Sequence, residues 1–245
     1  MLITAVPFFT LPDLFVVLFL LCGMAGSVVL RKLTIPAAVT GGVCGFVIYS
    51  GTGYKGLGML VTFFVLGTIA TAWRKDEKRG LVAGDVNPSR RKAGQVMANA
   101  GVAGILALLA VFDGLHADLY LLMVAASFAS ATADTLSSEL GMVYGRNFYN
   151  IITWKRERKG LDGVVSLEGT LTGIAGAAVI GLLYVWPVIA NRELLFVIIA
   201  GAIGNLADSV LGAVWERKQY INNDIVNFLN TLIAALIALL LWFYC

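Results

Sequence analysis

Three acidic residues in otherwise apolar parts of the 245-residue chain are the first candidates for chemistry. Asp134 and Glu139 lie in one hydrophobic segment and Asp208 lies in another. A carboxylate at membrane depth is costly and usually marks a functional site. The segment that follows Glu139 is rich in cations, namely Arg146, Lys155, Arg156, Arg158 and Lys159. Carboxylates beside such a cluster are expected where a metal ion and a multiply charged anion bind together.

Asp134 and Glu139 do not share a helical face. At about 100° per residue, five residues separate the two side chains by about 140° around a helix axis. Ser138, by contrast, lies on the face of Asp134. One regular helix therefore cannot direct both carboxylates at one ion. Either the helix breaks near Ser137, or the two acids have different roles, and Glu139 then pairs with an arginine of a neighbouring loop.

The segment from Gly160 to Thr170 is a candidate phosphate loop. Its glycines favour a turn that exposes backbone N–H groups, and Ser166 before Glu168 is typical of a helix start. Helix N-termini attract anions. The residues that we expect at the bound phosphates are Arg146, Lys155, Lys159, Gly163, Ser166, Glu168, Gly169 and Thr170.

Polar residues on two further helices are candidates to line the same site. Gln95 and Asn99 are four residues apart and share one helical face, as do Asn223 and Asn227. Asp224 lies beside the latter pair. Amides at this depth either line a polar site or hydrogen-bond to a neighbouring helix, and both alternatives stay open.

Composition places the chain among integral membrane proteins. Mean hydropathy is +0.85, with 59% hydrophobic and 13% charged residues. We expect one integral membrane domain over residues 1–245, an all-α bundle of about eight transmembrane helices. The second predicted helix is rich in glycine and is a candidate broken or re-entrant helix. The predicted spans are 11–30, 35–50, 57–73, 93–112, 118–142, 169–190, 194–215 and 225–244.

The distribution of basic residues predicts the topology. With both termini extracytoplasmic, sixteen of the eighteen basic residues fall in cytoplasmic loops, and only Lys55 and Arg192 fall outside. Two of these loops are strongly basic. The net charge of +3 thus reflects membrane topology, and no nucleic-acid partner is expected. The polar ends of helices four to eight would then face the cytoplasm, where nucleotides are found.

The residue types fit three activities. Intramembrane acids with a basic loop suit a Mg²⁺-dependent phosphoryl transfer from a nucleotide. They also suit a nucleotidyl transferase that acts on a lipid phosphate, or a transporter or flippase of a lipid phosphate or an ion. The basic loop weighs against a transporter, because transporter sites lie near the midplane between repeats.

Several motifs resemble one known family. They are RRKAGQVMANAG (90–101), ADTLSSELG (133–141), GLDGVVSLEGT (160–170), GNLADSVLGA (204–213) and NNDIVNFLNT (222–231). In this order they look like domain-of-unknown-function family 92, which includes the chloroplast phytyl-phosphate kinases. More distantly, Asp134, Gly145-Arg146, Lys159 and Glu168-Gly169-Thr170 are similar to the CTP-dependent dolichol and phytol kinases. Where the family usually has Gly-Thr-x-Gly-Gly-Val-Ser, residues 160–166 lack one glycine and the threonine.

The resemblance implies a kinase that converts an isoprenoid monophosphate in the membrane to the diphosphate, with CTP or another nucleoside triphosphate as donor. Asp134 and Asp208 would hold Mg²⁺, with Glu139 or Glu168 as a further ligand. The amides and Asp224 would complete the site, and the isoprenoid tail would lie between helices, in contact with membrane lipids. The bundle would stand alone or pair as a homodimer through its glycine seams.

Overall fold

The computed structural model describes residues 10–78, 90–188 and 192–244. Seven of the described helices are long and apolar enough to cross a membrane. In chain order the helices are α1 (Leu11–Val29), α2 (Ile35–Ala72), the short α3 (Lys75–Lys78), α4 (Ala93–Phe112), α5 (Ala117–Tyr144), α6 (Leu167–Val185), α7 (Arg192–Leu211) and α8 (Asn223–Tyr244). A single turn of π-helix, Gly212–Glu216, extends α7. Strands β1 (Tyr149–Asn150) and β2 (Val164–Val165) pair antiparallel between α5 and α6.

Helix α2 crosses the bundle twice. Its 38 residues would span about 57 Å if straight, against a hydrocarbon core of about 30 Å. Gly53 interrupts the helix with φ 64° and ψ −155°. The N-terminal end of α2 is tied to the start of α4, since the Thr34 amide donates to the Arg91 carbonyl at 3.1 Å. Near the opposite end of α2, a Cβ on Gly67 would lie 2.7 Å from Nη2 of the same arginine.

The middle of α2 lies at the other end of the bundle. Gly51 packs against Ala107, close to the end of α4, and Lys55 Nζ donates to the Tyr184 carbonyl at the end of α6. The chain therefore reverses at Gly53, and α2 supplies two antiparallel spans. This gives eight spans in all, as the hydropathy pattern predicts. Gly42 and Gly45 lie in regular helix and pack against α1 side chains, so the interruption lies beyond them.

Helix α5 is the centre of the bundle and packs against α2, α4, α6, α7 and α8. Its residues from Leu122 to Ala133 are all buried. Most of them are alanine, serine or threonine, which lets neighbouring backbones approach closely. A Cβ on Gly173 of α6 would lie only 2.9 Å from the Ala133 carbonyl oxygen. The glycine seam of α6 thus fixes the two helices against one another beside Asp134.

The end of the bundle at which α4, α6 and α8 begin is here called the basic end, because Arg91, Arg146 and Arg217 lie there. The segment between α5 and α6 folds over it. Gly163, with φ 71°, sits against the Ser209 carbonyl at the end of α7. Loop residues that are distant in sequence from α7 are therefore held beside its last turn.

The reversal at Gly53 predicts an unequal response to two glycine substitutions. A Cβ at Gly53 or at Gly58 would meet no atom within 4 Å, but only Gly53 has a backbone conformation that is nearly restricted to glycine. Gly53→Ala should lower the free energy of unfolding by about 1–3 kcal/mol. Gly58→Ala should be neutral or stabilising by up to about 1 kcal/mol. Thermal unfolding in detergent measures both, and equal stability of the two variants would contradict the reversal.

Candidate functional site

Asp134 and Asp208 form a facing pair of carboxylates near the basic end. Helix α5 is continuous from Ala117 to Tyr144, so the break considered near Ser137 does not occur and Asp134 is directed towards α7 and α8. Its carboxyl group lies within hydrogen-bonding contact of Asp208. None of the ion pairs between described residues includes either acid. Two adjacent carboxylates in an apolar bundle are costly without a counter-charge, so the pair is suited to bind a cation.

Asparagine side chains of α8 hold the two carboxylates in place. Asn230 is completely buried, and its Nδ2 donates to Asp208 Oδ2 at 2.6 Å. Ser130 Oγ in turn donates to Asn230 Oδ1 at 3.1 Å. With its amide nitrogen facing the pair, Asn227 donates to Asp208 Oδ2 at 3.2 Å and to Asp134 Oδ2 at 3.3 Å. These donors stabilise the ionised carboxylates and fix their direction.

Further acids surround the pair. Glu216, in the π-turn that ends α7, hydrogen-bonds to Asn223, and Asp162 of the loop is close enough to act electrostatically on both Glu216 and Asp208. Within the described residues, however, no group of three or more His, Cys, Asp or Glu side chains is placed to hold a metal ion. A cation at the pair would need ligand or water oxygens to complete its coordination. That is how Mg²⁺ is usually bound, by one or two carboxylates plus phosphate oxygens, so the residues present fit this ion.

Glu139 lies apart from the carboxylate pair. Lys78 Nζ, at the end of α3, is 2.6 Å from Glu139 Oε2 and also donates to the carbonyl oxygens of Ala70 and Thr71. The Lys78 side chain is 6% exposed and that of Glu139 is 19% exposed. The three predicted metal ligands Asp134, Asp208 and Glu139 are thus not brought together. Glu139 instead pairs with a cation from a neighbouring segment, and that cation is a lysine rather than an arginine.

The predicted phosphate-binding cations lie at the surface of the basic end. Arg146 and Lys155 are exposed, while Lys159 Nζ donates to the Met142 carbonyl at 3.3 Å. Glu168 Oε2 accepts from the Arg146 amide at 3.4 Å. Glu168 therefore belongs to the junction between the loop and α6, and no hydrogen bond between described residues links it to the carboxylate pair.

An ion pair ties the loop to the segment after α7. Arg217 Nη2 donates to Glu157 Oε2 at 2.6 Å, and this hydrogen bond lowers the pKa of Glu157. Glu157 Oε1 also accepts from Nδ2 of the buried Asn150 at 3.2 Å. The loop is consequently held across the end of α7 that carries Asp208.

The small and hydroxyl residues of the predicted phosphate loop build the start of α6. Ser166 Oγ accepts from the Gly169 amide at 3.1 Å, which confirms the predicted helix start, and Thr170 Oγ1 donates to the Ser166 carbonyl at 3.0 Å. A Cβ on Gly169 would lie 2.8 Å from the Ser137 carbonyl oxygen, and one on Gly163 would lie 2.6 Å from that of Ser209. These residues position the helix start beside α5 and α7.

The remaining predicted lining residues do not contact the carboxylate pair. Ser138 is exposed and donates to the Thr135 carbonyl. Asp224 lies against Gly94, at the start of α4. Gln95 accepts from the Lys92 amide at 2.8 Å, and Asn99 Nδ2 donates to the Gln95 carbonyl at 2.8 Å. Gln95 and Asn99 line a separate cavity near α1.

Sequence reasoning missed Ser130 as a member of the site, and it left Asn230, which continues the polar stripe of Asn223 and Asn227, open between a site residue and a helix–helix contact. The spacing of both residues from predicted site residues indicates that they belong to the site. Asn230 follows Asn227 by three residues, and Ser130 precedes Asp134 by four, so each shares its partner's helical face. Asp162 and Glu216 carried no such signal, because their approach to Asp208 depends on how the loop folds.

Comparisons with known proteins place the chain in a family. The family model described as "Integral membrane protein DUF92" matches residues 16–235. An uncharacterized membrane protein of Methanocaldococcus jannaschii is 34% identical over 238 residues, which are 96% of each chain. The chloroplastic protein VTE6 of Arabidopsis thaliana is 28% identical over 89% of this chain and 70% of its own.

A second Arabidopsis thaliana relative, protein PGR, is 27% identical over 77% of this chain and 75% of its own. No solved structure matches. The family match covers most of the chain, and it agrees with the helices that are long and apolar enough to cross a membrane. The chain is therefore a multi-pass integral membrane protein and belongs to the DUF92 family.

Proposed function

We propose that the protein is a prenyl-phosphate kinase, which transfers a phosphoryl group from CTP or another nucleoside triphosphate to an isoprenoid monophosphate. The observation that carries the proposal is the facing pair of Asp134 and Asp208 beside a basic surface. The motif resemblance to the phytyl-phosphate kinases and the relationship to a chloroplastic protein support it.

In this reaction the protein mainly has to position the two substrates, and it does not have to form a covalent bond with either of them. An oxygen of the acceptor phosphate forms a bond to the terminal phosphorus of the donor, and the bond from that phosphorus to the bridging oxygen breaks. The nucleoside diphosphate leaves with the electron pair. The acceptor phosphate is already an anion, so no general base is needed. Bound Mg²⁺ would supply charge neutralisation at the donor phosphates.

Each part of the site has a role in this proposal. Asp134 and Asp208 would hold the metal ion, and Asn227 and Asn230 would orient them. The exposed cations at Arg146 and Lys155 would attract the donor phosphates at the basic end. Glu139 would have no direct role, because its carboxylate is bound by Lys78.

Product analysis tests the proposal. Detergent-purified protein would be incubated with Mg²⁺, CTP and geranylgeranyl monophosphate, and the lipids analysed by mass spectrometry. Geranylgeranyl diphosphate with release of CDP is expected. A CDP-linked lipid with pyrophosphate would replace the kinase with a nucleotidyl transferase. No turnover of CTP, ATP or GTP, together with lipid flux across sealed vesicles, would replace it with a transporter.

Asp134→Asn and Asp208→Asn remove charge while keeping shape. Because a metal ion supplies several kcal/mol of charge stabilisation, each should lower kcat by about a hundredfold or more. Turnover is measured on protein whose size-exclusion profile matches the wild type. Full activity of either folded variant would contradict the assignment of that residue.

Substitution of Lys78 or Glu139 should lower the stability of the protein and leave its catalytic rate unchanged. Since breaking a buried ion pair leaves one charge uncompensated, Lys78→Met or Glu139→Gln should each lower Tm by about 5–10 °C. The double variant should lose less than the sum of the two. Glu139→Gln should keep its kcat at a temperature at which it is folded. A large loss of kcat there, with Tm unchanged, would place Glu139 in the reaction instead.

A further inference from the structure

A cavity of about 290 Å³ lies between α1, both arms of α2, and α4. Its walls are almost wholly apolar and include Leu20, Leu60 and Phe64. Arg91 lines it just before α4 begins, and the cavity then follows α4 from Gln95 to Ala100, a distance of about 8 Å along the helix axis. Phe19 and Val65 line the cavity and are 52% and 45% exposed on the outside of the bundle. The cavity therefore opens towards the surrounding bilayer.

Helix α1 is a lightly attached wall of this cavity. Helix α2 is the one described helix against which it packs extensively, and a Cβ on Gly23 of α1, which lines the cavity, would meet no atom within 4 Å. An apolar chain could enter beside α1 without displacing the tightly packed centre around α5. The size is close to the lower end of small-molecule pockets, so the cavity would hold part of a long chain.

Among the described residues that line the cavity, Arg91 is the one that carries a charge. Its guanidinium lies 5.7 Å from the centre of the Phe63 ring, and no hydrogen bond or ion pair links its side chain to a described residue. Burial lowers the pKa of Arg91, while the charge of Glu139 acts in the opposite sense. A half-buried guanidinium that is not neutralised by a direct partner binds phosphate oxygens well, because its donors match them in geometry. Gln95 and Asn99 line the same end of the cavity.

Arg91 also faces the helix that carries Asp134. A Cβ on Gly67 would lie 2.7 Å from Arg91 Nη2 and 3.3 Å from Thr135 Cγ2. The Arg91 guanidinium and Thr135, the residue that follows Asp134 in α5, thus both lie beside Gly67. An anion bound by Arg91 would lie beside α5, next to Thr135 and within reach of the charge of Glu139.

We propose that this cavity binds the acceptor, with the isoprenoid chain between α1, α2 and α4 and the monophosphate at Arg91. The assignment rests on the proposed function for the identity of the lipid. It explains why an arginine stands at the polar end of an otherwise apolar cavity. It also assigns α1 a role as the side wall past which the lipid enters from the bilayer.

The head-group assignment is tested by equilibrium binding without nucleotide. Protein in phosphatidylcholine nanodiscs would be titrated with radiolabelled geranylgeranyl monophosphate or geranylgeraniol. Arg91→Gln should weaken monophosphate binding by roughly tenfold or more, since it removes charge-assisted hydrogen bonds, and should leave geranylgeraniol binding unchanged. The matched control is Arg90→Gln, an exposed neighbour, which should change neither. Wild-type affinity of Arg91→Gln for the monophosphate would overturn the assignment.

The tail assignment is tested by filling the cavity. Gly23→Phe places a ring in the open space and should weaken binding of both geranylgeranyl ligands. Gly26→Phe is the control, because a Cβ there also meets no atom within 4 Å but the residue does not line the cavity. Equal affinities of the two variants would overturn the tail position. Equally strong displacement by phosphatidic acid would overturn the choice of an isoprenoid chain.

The two proposals fail in different ways. If the diphosphate forms but Arg91→Gln and Gly23→Phe leave the KM for the acceptor unchanged, the cavity assignment is wrong and the kinase stands. If both lipids bind as expected but no nucleotide is turned over, the kinase is wrong and the cavity assignment stands.

Discussion

The approach of two carboxylates inside an apolar bundle is the constraint on which the rest of the structure depends. Asp134 and Asp208 come from different helices, and amides of a third helix hold them together. Such an arrangement is costly unless a cation, or a proton shared between the two carboxyl groups, neutralises part of its charge. The surrounding acids Glu216 and Asp162 add to that cost. The negative potential at the site therefore favours binding of a cation.

The bundle brings these groups together through small residues at its centre. Gly173 lets α6 approach the backbone of α5 at Ala133, and Gly204 lets α7 approach the side chain of Ser130. Larger side chains at these positions would separate the helices and draw the carboxylates apart. By contrast, α1 has few such contacts and borders open space. The tight part of the bundle therefore holds the polar site, and the loose part holds the apolar cavity.

Much of the fold can be predicted from the sequence. The hydropathy of a segment and its number of charged residues are properties of that segment alone, and they do not depend on how the helices pack. They predict eight spans, and the reversal at Gly53, where two helical arms of α2 meet at a kink, gives that number. The helical angle between Asp134 and Glu139 left a helix break or different roles as alternatives, and the structure shows different surroundings, so the expected placement of Glu139 among the metal ligands was wrong. The partner of Glu139 was not predictable, because Lys78 reaches it only through the tertiary path of α2 and α3. The same holds for Arg91, whose proposed role depends on the cavity that α1, both arms of α2 and α4 enclose only after they pack together.

The most direct test of the central claim is metal binding by the carboxylate pair, which does not depend on the identity of the lipid. Mn²⁺ accepts the same oxygen ligands as Mg²⁺ and is detected by electron paramagnetic resonance. Titration of the purified protein with Mn²⁺ in the presence of CTP should show a bound ion in the wild type. Asp134→Asn and Asp208→Asn should each weaken its affinity by about tenfold or more, while Glu139→Gln should not. Unchanged Mn²⁺ affinity in both aspartate variants would contradict the account.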